Sequence, residues 1–138
     1  MQDWKVRAAK ALDPALSEFL RLEGDLLQQV LARHKERCVN QVLLAFGKSA
    51  LTVGVNPDDD SIDLRAGRRR DFEGNGWNDL SRRKPWKDHI GKPFGWGWIT
   101  VNQQGYSDGL LLGFGDIRPR LMLYAVASSI KMASINFL

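Results

Sequence analysis

Candidate catalytic chemistry rests on few side chains, since the chain has two histidines and one cysteine. His34 and Cys38 are four residues apart, but nucleophilic catalysis also needs an orienting acid, and such groups usually come from distant segments. One cysteine and two histidines cannot complete a four-ligand zinc site without carboxylates. We therefore predict no catalytic residue, no metal site and no cofactor, and favour a protein that is not an enzyme. Acids such as Asp63, Asp79 or Asp108 could still meet in a cleft.

A run of acidic residues, Asp58-Asp59-Asp60, is the other candidate for metal chemistry. Together with Asn56 and Asp63 it could present several oxygens to a hard cation. The spacing lacks the central glycine and the terminal glutamate of a calcium loop. Asp side chains commonly bond to local N–H groups in turns. The run therefore predicts a solvated hairpin turn.

A basic segment rich in tryptophan is the strongest candidate binding region. Residues 65–92 carry nine Lys and Arg against four Asp and Glu, while the whole chain has a net charge of +4. Concentrated positive charge attracts phosphate-rich molecules or acidic proteins, although a charged run is more often a solvated loop. The predicted binding residues are Arg68, Arg69, Arg70, Trp77, Arg82, Arg83, Lys84, Trp86 and Lys87.

The tryptophans bear on which partner this segment suits. Indole rings beside cations can stack on nucleobases while Arg and Lys contact phosphates. Large aromatic side chains are also the usual filling of a small sheet core. We expect Trp96 and Trp98 to pack in the core and Trp77 and Trp86 to be exposed. Two hypotheses follow: a non-catalytic domain that binds an acidic protein, and a protein that binds RNA or single-stranded DNA.

The overall composition predicts one globular domain spanning residues 1–138. The chain is 43% hydrophobic and 26% charged, and its length suffices to bury a core without disulfides. No segment has the apolar run of a signal peptide or the ~20 apolar residues that cross a bilayer. A single cysteine fits a reducing compartment. We therefore expect a cytoplasmic protein with no membrane partner.

Helical signals are confined to the N-terminal part of the chain. Asp13-Pro14 predicts the start of a helix, because Asp can cap free N–H groups and Pro supplies a helical φ, and Gly24 is a plausible stop. Residues 4–12 could form a shorter preceding helix. Residues 26–31 could extend the main helix or open the sheet, since their periodicity fits both.

Alternating apolar residues predict strands after residue 38. Residues 38–46 are apolar on both faces, as expected of a strand inside a sheet, and residues 51–55 and 61–64 follow across turns. These segments predict three consecutive antiparallel strands.

The C-terminal third of the chain carries a second set of strand signals. Residues 96–101 and 106–114 predict a hairpin around the turn at 102–105. Residues 118–138 fit a helix by composition, but their alternation and a possible bend at Ser128-Ser129 favour two strands. Residues 65–95 have no clear periodicity and predict a long irregular basic loop.

Seven strand and turn motifs follow one another between residues 25 and 135. They are Val42-Leu43-Leu44-Ala45-Phe46, Leu51-Thr52-Val53, Asp58-Asp59-Asp60-Ser61-Ile62, Ile90-Gly91-Lys92, Trp96-Gly97-Trp98, Asn102-Gln103-Gln104-Gly105-Tyr106-Ser107-Asp108-Gly109 and Ala127-Ser128-Ser129-Ile130. In this order they resemble a family of small, functionally uncharacterised bacterial α+β proteins, similar in style to the immunity proteins of toxin systems. The resemblance implies strands at the C-terminus and suggests a binding role, without an active site.

The sequence therefore predicts an α+β fold in which an N-terminal helix packs on a single, mainly antiparallel sheet of about five to seven strands. The basic loop of residues 65–95 lies outside this sheet and meets the partner. That partner is expected to be another protein, with nucleic acid as the alternative. An exposed edge strand could also pair two copies in a homodimer.

Overall fold

The structure, a computed structural model, describes residues 14–72 and 74–136. Residues 14–22 are helical (α1), and the chain then turns at Gly24, whose φ of 89° favours a residue without a Cβ atom. The predicted stop of this helix is therefore confirmed. Its predicted cap at Asp13 and the predicted helix over 4–12 lie outside the described residues.

The first sheet has five antiparallel strands in the order β4-β3-β2-β1-β5. The three strands predicted from alternation are confirmed as β2, β3 and β4. The ambiguous residues 26–31 enter the sheet, because β1 begins within them. The strand bounds are β1 Gln29–Lys35, β2 Cys38–Phe46, β3 Ser49–Val55, β4 Ile62–Arg68 and β5 Asn78–Asp79.

The second sheet has four antiparallel strands in the order β6-β7-β8-β9. The predicted hairpin is confirmed as β6 and β7, and the two predicted C-terminal strands as β8 and β9. Ala127 and Ser128 form the turn between the last two strands with φ values of 50° and 62°, which match the twist of a two-residue hairpin. The bounds are β6 Phe94–Val101, β7 Ser107–Phe114, β8 Leu121–Val126 and β9 Ser129–Ser134.

The predicted α+β fold with a single sheet is wrong, because the described residues are mostly strand and their strands form two separate sheets. The hairpin of β6 and β7 does not join the first three predicted strands. It pairs instead with β8, and the sheet thus formed packs β9 across β2 and β3. Each sheet buries one apolar face against the other, so a helix is not needed to cover either of them.

One hydrophobic core lies between the two sheets. Phe94 is at its centre, with ring centroids 6.0 Å from Phe46, 5.8 Å from Phe114 and 5.8 Å from Phe19 of α1. The helix can approach β6 this closely only because residue 97 is glycine, since a Cβ atom there would lie 2.5 Å from the Phe19 ring. Further buried members of the core are Val30, Ala32, Val42, Leu44, Leu51, Val53, Leu110, Leu112, Leu121, Leu123 and Ile130.

The acidic run connects the two sheets at one end. Asp59 Oδ1 accepts a hydrogen bond from Ser61 N (2.9 Å), as the predicted turn requires. Asp60 instead accepts hydrogen bonds from the backbone of the β8–β9 turn, from Ala127 N at 3.2 Å and Ser128 N at 2.7 Å. This carboxylate therefore has a structural role that its position in the chain does not reveal.

Candidate functional site

The predicted basic loop is divided by β5 into two halves with different surroundings. Residues 65–68, which the sequence places in the loop, belong to β4. The outer half, described for residues 69–72 and 74–77, begins with a short 3-10 helix at Arg69–Phe72 and lies on the face of the first sheet that points away from the main core. The inner half, residues 80–93, covers the main core. Residues 78–79 form β5, and the chain then turns at residues 80–83, where Arg83 N donates to the Leu80 carbonyl at 3.0 Å.

The outer half is anchored by a small second hydrophobic cluster. Phe72 and Trp77 pack over Leu43, Ala45 and Ala50, which point outward from β2 and β3. These side chains hold the loop against the sheet. They therefore fix the position of the arginines at the start of the loop.

Trp77 is half-buried and committed to contacts within the chain. Its Nε1 donates a hydrogen bond to the Phe72 carbonyl at 3.1 Å. The Arg33 guanidinium lies 4.1 Å from the centroid of the indole ring, in the geometry of a cation–π contact. The ring also packs on the cluster beneath it and lines an open groove together with Arg69. The expectation of an exposed Trp77 is thus met only in part.

Four cationic side chains surround one depression at the end of the first sheet. We call them the basic end: Lys48, Arg68, Arg69 and Arg70, around a volume of about 500 Å³. The backbone N–H of Arg69 donates to the carbonyl of Lys48 at 2.7 Å, which holds the β2–β3 turn against the 3-10 helix. Lys48 was missed by sequence reasoning, because it is 20 residues from Arg68. The predicted pairing of β3 with β4 could have revealed this neighbour, since it brings the start of β3, next to Lys48, beside the end of β4 at Arg68.

The cations of the basic end are not neutralised by ion pairs within the part of the chain that the structure describes. Among the ion pairs of the described residues, none involves Lys48, Arg68 or Arg70. Asp71 is nearby, but its carboxylate accepts the backbone N–H of Arg68 at 3.2 Å. A cluster of unpaired cations produces a positive potential that attracts acidic groups.

Arg69 connects the basic end to a neighbouring groove of about 400 Å³ on the outer face. Its Nη2 donates to Gln29 Oε1, and Gln29 Nε2 donates to Asp79 Oδ2 at 3.1 Å. Hydrogen bonds from Ser81 and Gln29 hold the pKa of Asp79 below its ordinary value. Arg69 is therefore held in place by a network, whereas its two arginine neighbours are exposed.

The inner half contains the remaining predicted binding residues. Trp86 is 1% exposed and belongs to the main core, so the expectation that it is exposed is wrong. Its Nε1 donates to Met132 Sδ at 3.2 Å, which ties the inner half to β9. The four cations Arg82, Arg83, Lys84 and Lys87 are exposed around it. Of these, Arg82 lies close enough to Asp79 to contribute to its lowered pKa.

Trp96 and Trp98 lie on the edge strand of the second sheet. Trp96 is 51% exposed, so the prediction that it packs in the core is wrong. Its ring centroid lies 6.1 Å from that of Trp98, which is half-buried. Both side chains point away from the core because the alternate residues of β6, among them Ile99, face it.

A third group of charges is neutralised within the chain. Asp116 accepts hydrogen bonds from Arg118 Nε at 3.1 Å and Arg120 Nη2 at 2.6 Å. These hydrogen bonds hold the pKa of Asp116 well below its ordinary range. The two arginines therefore offer less positive potential to an outside partner than those of the basic end.

The histidines and the cysteine do not form a recognisable catalytic set. His34 Nδ1 lies 3.2 Å from the Asn78 amide nitrogen, and Cys38 is an exposed free thiol. His89 is half-buried, and burial lowers its pKa, with Lys92 as the next cause. Over residues 14–72 and 74–136, no three His, Cys, Asp or Glu side chains are grouped so that they could hold a metal ion.

In the same ranges no helix has the length and apolar character needed to cross a membrane.

Comparisons with known proteins identify a family but no characterised relative. Neither the curated proteins nor the solved structures include a match to this chain. A family model does match, and it describes a family of unknown function, so the predicted resemblance to a functionally uncharacterised family is confirmed in that respect. The match spans residues 12–137, and the chain therefore belongs to the family of unknown function DUF6334.

Proposed function

We propose that this protein is a non-catalytic binding protein that engages an acidic protein through its basic end. The observation that carries the proposal is the convergence of Lys48 with Arg68, Arg69 and Arg70 around one depression, without an ion pair at Lys48, Arg68 or Arg70 among the described residues. These cations come from two turns that are distant in sequence. The fold thus concentrates charge in a way that a merely solvated loop would not require.

Electrostatics explains why such a surface suits a partner. Like charges held together repel one another, and an acidic surface that approaches them relieves this repulsion and is attracted over several ångströms. Complementary charge mainly increases the association rate and the specificity of a complex. Arg69, fixed by Gln29, gives the surface one guanidinium of defined orientation, while Lys48, Arg68 and Arg70 are free to adapt.

The geometry favours an acidic protein over a nucleic acid. Stacking on bases needs an aromatic ring with an open face. Trp77 has Arg33 against its ring and the second hydrophobic cluster beneath it, and Trp86 is buried. Within the predicted binding segment, Trp86 is thus unavailable for stacking, and Trp77 offers only the part of its ring that lines the groove beside Arg69.

In its most specific form the proposal follows the resemblance to immunity proteins of bacterial toxin systems. The partner is then a toxin whose surface at the contact is acidic. A basic nuclease toxin is a poor candidate, since its charge has the same sign as the basic end.

Charge reversal tests the proposal. The double variant Arg68→Glu, Arg70→Glu is compared with the control Lys35→Glu, Lys131→Glu, which changes the net charge equally at exposed positions away from the basic end. Tagged proteins are expressed in the native cell, and partners are recovered at low salt after nuclease treatment. We expect an acidic protein to be recovered with the wild type and the control and to be lost with the double variant. With the purified partner, the association rate should fall by about tenfold or more at low salt.

Two results would contradict the proposal. Equal recovery of the same partner by both variants would place the contact elsewhere. Recovery that disappears on nuclease treatment, together with direct binding of the purified protein to single-stranded oligonucleotides, would support the nucleic-acid alternative.

A further inference from the structure

β4 is an open edge of the first sheet. It has β3 on one side, and no other strand of the described residues pairs with its second side. Its seven residues, Ile62–Arg68, form an uninterrupted register with β3. Apart from the N–H of Arg68, which donates to Asp71, this edge presents a row of N–H and C=O groups without a strand partner, which is a template for another strand.

β4 lacks three of the features that usually protect an edge, although it carries charged side chains on its outer face. It contains no proline and no bulge, and the side chains that point toward the core are Ile62, Leu64 and Ala66 rather than charged residues. The other edge strands differ: β5 has only two residues, β6 has two register shifts against β7, and β9 carries a single charge, Lys131, with no acidic residue to face it in a second copy. β4 is therefore the edge most suited to pairing.

The charges on β4 are complementary to those of a second copy. Asp63 and Arg65 lie on the outer face, on either side of Leu64, with 55% and 72% of their side chains exposed. We propose that two copies of the chain pair through β4 in antiparallel orientation, with Leu64 on the two-fold axis. Asp63 of each copy then lies directly opposite Arg65 of the other, and Ile62 lies opposite Ala66. The two first sheets become one continuous sheet.

The charges also select this register over its neighbours. If the axis moves to Asp63, two aspartates face each other, and if it moves to Arg65, two arginines do. Like charges directly opposite on neighbouring strands are destabilising, whereas opposite charges there are stabilising. Of the three central positions for the axis, only Leu64 pairs opposite charges.

The existing ion pair within the strand does not remove this complementarity. Asp63 Oδ2 and Arg65 Nε are 3.2 Å apart within one chain, but their Cα atoms are two residues apart along the strand, roughly 6.6 Å. Directly opposite residues of an antiparallel pair have Cα atoms only about 4.5–5.5 Å apart. Each charge can therefore contact its counterpart in the second copy without giving up its neighbour.

Charge variants test the pairing in the full chain, with reducing agent present because Cys38 is exposed. Sedimentation of the wild type over a concentration series should show a dimer. Arg65→Asp and Asp63→Arg should each weaken it by about tenfold, since each creates two like-charge contacts per dimer. An equimolar mixture of the two variants should form a heterodimer, and the double variant Asp63→Arg, Arg65→Asp should regain the homodimer. The exposed control Lys35→Asp should dimerise like the wild type.

The register is tested by crosslinking. In a Cys38→Ser background, Leu64→Cys places two thiols on the axis at a Cα separation that a disulfide can span, while Ile62→Cys places them several residues apart. We expect oxidation to crosslink the first variant and not the second. A monomeric wild type, a dimer that neither charge variant weakens, or variants that fail to pair when mixed would overturn the proposal. None of these outcomes depends on the acidic partner, so the two proposals can fail separately.

Discussion

The two halves of the basic loop each combine one tryptophan with charged residues, but they have different roles. The outer half, residues 69–77, lies on the exposed face of the first sheet and holds Arg69 and Arg70 beside Lys48. The inner half, residues 80–93, inserts Leu80 and Trp86 into the main core. The difference shows that a charged segment can contribute to the core through isolated apolar anchors while its cations stay in solvent.

The two halves differ in burial because different amounts of apolar surface lie beneath them. The outer half covers only Leu43, Ala45 and Ala50, which form a small cluster. The inner half covers a core to which both sheets and α1 contribute. Since burial of apolar area is the dominant favourable term in folding, the inner half should contribute more to stability than the outer half.

Removal of the buried indole should have the largest effect. Trp86→Ala deletes a side chain that is 1% exposed and leaves a cavity between the inner half and β9. We expect the free energy of unfolding to fall by about 3–5 kcal/mol. Urea denaturation followed by circular dichroism measures this loss.

Trp96 offers a matched control for that experiment. It is 51% exposed on β6, so Trp96→Ala should cost no more than about 1 kcal/mol. Equal losses in the two variants would show that the inner half does not pack as the structure has it.

The tryptophan of the outer half should matter less. Trp77→Ala removes the contact with Arg33 and a hydrogen bond to the Phe72 carbonyl, but only part of the ring is buried. We expect a loss of about 1–2 kcal/mol. A double-mutant cycle with Arg33→Ala should give a coupling of about 0.5–1 kcal/mol. A coupling near zero would mean that Arg33 does not hold the ring and that an open face is available for stacking.

Sequence reasoning predicts the local pairing of this fold well. The strands β2, β3 and β4, the hairpin of β6 and β7 and the final pair of β8 and β9 all follow from alternation and turn residues, which are properties of neighbouring residues. Their separation into two sheets could not be predicted in the same way. It depends on which strand edges meet, and such contacts join residues that are distant along the chain.

The candidate site shows the same limit. Arg68, Arg69 and Arg70 were recognised as adjacent in sequence, whereas Lys48 joins them only through the paired ends of two hairpins. Trp86 was misplaced because Lys84 and Lys87 surround it in sequence, and their charge suggests solvent. Its burial depends on a gap between the sheets that no local pattern describes.

The smallest expected effect is a dependence of stability on pH from the inner half. His89 lies against Phe114, with ring centroids 5.5 Å apart, and its Nδ1 is buried with no hydrogen-bond partner among the described residues. Burial, with Lys92 as the next cause, lowers its pKa in the folded state, so below about pH 6.5 the unfolded chain binds the proton more readily. The contribution of neutral, buried His89 to the free energy of unfolding is complete above that pH. It is lost as the pH falls from there through the lower pKa of the folded state. We expect the wild type to lose more stability than His89→Gln between pH 7.5 and 5.5 in urea denaturation. If the free energy of unfolding of His89→Gln depends on pH as steeply as that of the wild type, water reaches the His89 ring. The inner half is then packed no more tightly than the outer half.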